Sequence, residues 1–109
     1  MPLITEPEFR ARLLEALISN TEVPFAKWVT GPGRSGAMAA IYASYHLRLP
    51  YVQFGLAHVP AGAPLVIDMS FSNRNLREAG RKYQRCHPII VSLYECDPTR
   101  EFWYETTDA

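Results

Sequence analysis

Residues 31 to 36 read Gly-Pro-Gly-Arg-Ser-Gly, and Asp68 closes an apolar run, Leu65-Val66-Ile67, just before Met69-Ser70-Phe71-Ser72-Asn73. These two stretches hold the residue types suited to gripping a phosphorylated ligand. In the first, Gly31, Gly33 and Gly36 leave backbone N–H groups exposed where a helix dipole would begin, which favours an anion. Arg34, beside Ser35, adds a full positive charge and a planar fork of donors. In the second, Ser70, Ser72, Asn73 and Asn75 carry side-chain groups that can donate to phosphate oxygens.

The elements that must position these residues follow from the pattern around them. Phe25 to Thr30 is short, aromatic and β-branched, bounded by Pro24 and Gly31, which predicts a buried strand. After the glycines, Ala37, Met38, Ala39, Ala40, Ile41 and Ala43 predict a helix able to approach a sheet closely, ended by Leu49-Pro50. Tyr51 to Leu56 predicts a second strand, Leu65 to Asp68 a third, Ile89 to Tyr94 a fourth and Phe102-Trp103-Tyr104 a short fifth. Asn75 to Gln84 predicts a helix, with Ser72 or Asn73 as its cap. Upstream, Thr5-Glu6-Pro7-Glu8 has the form of a capping box, and Phe9, Leu13, Leu14, Leu17 and Ile18 recur at helical spacing until Ser19-Asn20 and Pro24. Alternating strands and helices predict an α/β fold: a three-layer sandwich around a mostly parallel sheet of about five strands. Ligands of such sheets lie outside the carboxyl ends of the strands, where both glycine turn and Asp68 fall.

A chain of 109 residues with a 48% hydrophobic share supports one domain, residues 1–109, with one modest core. Eleven basic residues balance eleven acidic ones, which argues against a field that gathers nucleic acid or anionic membrane overall. Cys86 and Cys96 lack the spacing of a zinc or CxxC redox site and read as reduced, mostly buried thiols. No run approaches the about 18 apolar residues of a membrane span, and a cytoplasmic protein is the expectation. His46, His58 and His87 are scattered and define no catalytic set.

Gly31, Gly33 and Gly36 fit the G-x-G-x-x-G fingerprint of dinucleotide-binding folds, between a predicted strand and a predicted helix. That fingerprint expects an acid roughly 20 residues on, at the end of the second strand. Gln53-Phe54-Gly55-Leu56 offers none. A small Rossmann-like dinucleotide binder is therefore an alternative reading.

The second loop carries a family resemblance. Val66-Ile67-Asp68-Met69-Ser70-Phe71-Ser72-Asn73, with Asn75-Leu76-Arg77-Glu78-Ala79, resembles the phosphoribosyl-diphosphate loop of type I phosphoribosyltransferases, and Val29-Thr30-Gly31-Pro32-Gly33-Arg34-Ser35-Gly36 is similar to their pyrophosphate loop. The resemblance covers roughly residues 23 to 95. It implies that Asp68 contacts the ribose hydroxyls, that Arg34 and the turn amides hold pyrophosphate with magnesium, and that Ser72, Asn73 and Asn75 stand at the 5′-phosphate. Asp68 and Arg34 would be the catalytic pair of a transfer to a nitrogenous base. Met69 stands where the family has a second acid, and the chain has no hood segment and no room between Leu56 and Leu65 for the family's long closing loop. These departures support a second alternative, a non-catalytic binding or regulatory protein on the same fold.

Arg74, Arg77, Arg81 and Arg85, with Lys82, make the third helix basic. At helical spacing the four arginines form one stripe, either a solvated face or a surface for phosphate, RNA or an acidic protein. Exposed sheet edges and aromatics make a homodimer a further expectation.

Overall fold

The computed structural model describes residues 3–68, 73–94 and 103. Among the described residues, three parallel strands form the sheet in the order β1 (Trp28–Thr30), β2 (Pro64–Asp68), β3 (Ile89–Ser92). Register pairs Val29 with Leu65, and Leu65 with Ile89. Three α-helices flank it: α1 (Glu6–Ser19), α2 (Gly33–Leu47) and α3 (Asn73–Arg81). The α/β class expected from the sequence is present, but the five-strand sandwich is not.

The predicted second strand reduces to a single parallel bridge between Val29 and Tyr51. The Val52 N–H donates to the Val29 carbonyl, but the Tyr83 hydroxyl then accepts the Gly55 N–H at 2.9 Å, and Gly55 turns at φ +90°. Packing of Val52, Phe54 and Val59 against the cluster of Trp28, Val66, Leu76 and Tyr83 thus takes this segment off the sheet edge. Of the predicted fifth strand only Trp103 is among the described residues; its backbone is 3-10, and its N–H donates to the Ile4 carbonyl. Bounds also shift. Val23–Phe25 is a 3-10 turn that leaves Phe25 exposed, β3 stops at Ser92, and α3 ends at Arg81, with Gln84–Cys86 a separate 3-10 turn.

The helices form where their sequences anticipate. Thr5 caps α1 by accepting the Glu8 N–H, and Phe9, Leu13 and Leu17 are its buried stripe. The buried face of α2 is Gly36, Ala39, Ala40 and Ala43, small residues that let the helix lie close to β1 and β2. Strand alternation divides the apolar contacts. Val29, Leu65, Ile67, Ile89 and Val91 face α1 and α2, while Trp28 and Val66 face Leu76 of α3 and Tyr83. The sheet is therefore covered on both faces, and all three strands deliver their carboxyl ends to one side.

Candidate functional site at the strand ends

The turn between β1 and α2 is built backbone against backbone. A β-carbon on Gly31 would collide with the Gly36 carbonyl and stand 2.5 Å from the Ile67 carbonyl oxygen. One on Gly36 would meet the Gly31 carbonyl carbon and the Pro32 ring. Glycine is required at both positions because no side chain fits between the turn and its neighbours. Gly33 is glycine for another reason: its φ of +66° lies in the left-handed region, while the space around it is open. The three fingerprint glycines thus divide into two for close approach and one for conformation.

At the start of α2 the N-cap residue is Pro32, which makes no side-chain capping bond. The first turn is the part of the helix where the dipole favours negative charge. Arg34 is exposed in this first turn, and Ser35 follows it, partly buried. Beside the turn is an open cleft of about 350 Å³ lined by Gly31, Gly33, Ala37, Tyr51, Gln53 and Phe54. Tyr51 and Gln53 were not singled out as site residues by the sequence reading. Their position depends on the Val29–Tyr51 bridge, which the alternation of residues 51 to 56 alone does not specify.

Asp68 ends β2, adjacent to β1 in the sheet, and is partly buried. Its carbonyl accepts the Leu93 N–H at 3.1 Å, so the strand end is tied to β3 as well. The contact of Gly31 with the Ile67 carbonyl brings the glycine turn against the residue preceding Asp68. The glycine turn therefore adjoins the carboxyl end of β2, which leads into the second loop singled out in the sequence. Asn73 and Asn75 lie in the first turn of α3, while Ser70 and Ser72 lie outside the described residues.

The sequence reading missed Thr30. It is the last residue of β1, fully buried, and its hydroxyl has no hydrogen-bond partner among the described residues. The only signal in the sequence is a polar residue closing an apolar strand just before the glycines.

The arginine stripe does not survive as one helical face. Arg77 and Arg81 are exposed on α3, but the helix ends at Arg81, and Arg85 belongs to the 3-10 turn after it. Arg81, Lys82 and Arg85 line an open cleft of about 570 Å³ with Leu56, Val59 and Tyr83. These cations sit at a helix carboxyl end, where positive charge offsets the exposed carbonyls, and this gives them a structural reason. Among the described residues, no three His, Cys, Asp or Glu side chains cluster as a metal site requires. Nor is any helix of the described residues long and apolar enough to cross a membrane.

Compared with protein-family models and with curated proteins, the chain matches none.

Proposed function

We propose that this chain binds a phosphorylated ribose at the carboxyl ends of β1 and β2, with phosphoribosyl diphosphate as the ligand of first choice. In this reading the Gly31–Gly36 turn, the α2 amino terminus and Arg34 take the diphosphate, Asp68 takes the ribose hydroxyls, and the start of α3 takes the 5′-phosphate. The observation that carries it is the contact of the glycine turn with the carboxyl end of β2, through Gly31 and the Ile67 carbonyl. Magnesium enters with the diphosphate, whose charge it neutralises. The reaction fitted to such a site forms a bond from a base nitrogen to the anomeric carbon and breaks the bond to diphosphate, which leaves with the electron pair. Arg34 and the turn amides would stabilise the departing charge. A reducing, cytoplasmic setting belongs to the same proposal.

A second reading, a dinucleotide binder, is favoured by the tight Gly31–Gly36 packing and the cleft beside Gln53. Calorimetric titration with phosphoribosyl diphosphate, with and without magnesium, and with NAD in parallel, separates the two. Magnesium-dependent binding that is lost in Arg34→Ala and in Asp68→Asn is the expected result. Binding of NAD alone would replace the first reading with the second. Wild-type protein that binds neither ligand would dismiss both.

A further inference from the structure

The carboxyl end of α3 carries more positive charge than the helix itself calls for. A helix dipole is equivalent to about half an elementary charge at this end, so a single cation such as Arg81 answers it. Lys82 and Arg85 add to it on the wall of the same cleft of about 570 Å³. No Asp or Glu of the described residues lines that cleft, and neither Arg81 nor Arg85 has an ion pair or hydrogen bond among the described residues. These like charges repel one another until an anion enters the space between them.

The floor of the cleft is apolar and already in place. Tyr83 is buried, and its ring is fixed by edge-on contacts to Trp28 and Phe54 and by the Gly55 N–H that its hydroxyl accepts. Gly55 turns at φ +90°, and the chain then presents Leu56, which is 49% exposed, beside Val59. At the rim, the Lys82 ammonium stands over the Phe54 ring, 5.7 Å from its centroid. An exposed leucine bordered by unpaired arginines has the apolar centre and charged rim of a small protein interface. Stacking of a nucleic-acid base needs an open aromatic face, and the buried Tyr83 ring offers none. A lone phosphate would use the rim and leave the leucine bare.

We propose that the cleft between residues 56–59 and the carboxyl end of α3 docks an acidic peptide segment of a partner protein, one aliphatic side chain resting on Leu56 and Val59 and its flanking carboxylates pairing with Arg81, Lys82 and Arg85. Charge complementarity selects the sign of the partner, and the apolar floor selects a peptide over other polyanions. Each arginine fork suits a carboxylate, which it grips through two parallel bonds. With a formal net charge of zero the chain has no overall field to assist, so the rim itself supplies the attraction. This site is separate from the strand ends and does not depend on what binds there.

The test is fluorescence polarisation of labelled pentapeptides with the full-length protein, one peptide Glu-Glu-Leu-Glu-Glu and one with serine at its centre, beside a labelled oligothymidylate. The leucine peptide is expected to bind about fivefold more tightly than the serine peptide, and more tightly than the oligothymidylate. Arg81→Ala combined with Arg85→Ala is expected to weaken its binding about tenfold, Leu56→Ser about fivefold, and Arg77→Ala, outside the cleft, by less than about twofold. All these positions are exposed, and unchanged thermal melting separates a lost contact from a lost fold. Wild type that does not bind the leucine peptide overturns the inference, as does equal affinity for the serine peptide. Tighter binding of the oligothymidylate assigns the cleft to nucleic acid, and an equal loss in Arg77→Ala assigns the attraction to the whole helix; either result overturns it. Self-association of the wild type in sedimentation, abolished in the double arginine variant, would put a second copy of this chain in the cleft and overturn it likewise.

Discussion

At the scale of single residues, the turn at Gly31–Gly36 makes two different demands on glycine, and substitution separates them. Gly31→Ala sets a β-carbon against backbone atoms of Gly36 and Ile67, which cannot rotate away as a flexible side chain would. A loss of about 3 kcal/mol in urea unfolding is expected, because the strand end itself must move. Gly33→Ala meets no atom, and its cost is confined to the left-handed backbone, about 1 kcal/mol. Equal losses in the two variants would mean that the close approach at Gly31 relaxes freely. The spacing of these glycines was legible in the sequence. Which of them serves packing was not, because that depends on Ile67, an element away.

At the scale of elements, α1 and α2 are joined by a polar contact at the edge of the core. The Tyr42 hydroxyl donates to the Glu6 carboxylate at 2.6 Å, Arg10 stands 3.6 Å from the other Glu6 oxygen, and Phe9 packs edge-on to the Tyr42 ring. The hydrogen bond to Glu6 raises the Tyr42 pKa above its usual 10.0, with burial and the Glu6 charge acting in the same direction. Between the unfolded and folded pKa the folded state holds a proton that the unfolded state has lost. The stabilisation is therefore complete below pH 10.0 and declines as pH rises through the folded value. Tyr42→Phe is expected to remove this alkaline dependence from urea-unfolding curves, and a slope unchanged in the variant would exclude Tyr42 as its source. Helical spacing in the sequence predicted both helices, but not that positions 6 and 42 meet.

At the scale of the whole molecule, the parallel sheet separates two groups of cations. The strand ends, with Arg34, lie on one side; α3 leads away from them for about 13 Å, and Arg81 stands at its far end. Arg77→Ala combined with Arg81→Ala is therefore expected to leave phosphoribosyl diphosphate affinity within about twofold in calorimetry. A large loss would place the ligand on the basic helix and not at the turn. With a formal net charge of zero, the chain has no overall field to draw a polyanion to either group.

The sequence by itself determined the α/β class, the three helices of the described residues, and the glycine turn between the first strand and the second helix. Those features are local: apolar period, capping at Thr5, the alanine face of α2, and glycines between a strand and a helix. Only the tertiary structure decided how many strands pair. Residues 51 to 56 have strand-like composition, yet the Tyr83 hydroxyl and the Phe54–Tyr83 contact hold them away from the sheet beyond Tyr51. The same holds for Thr30, whose polar side chain reads as ordinary until its burial beside Val66, and the absence of a partner for its hydroxyl among the described residues, are known. Periodicity and turn chemistry act within a few residues, whereas pairing and burial depend on what the rest of the chain brings alongside.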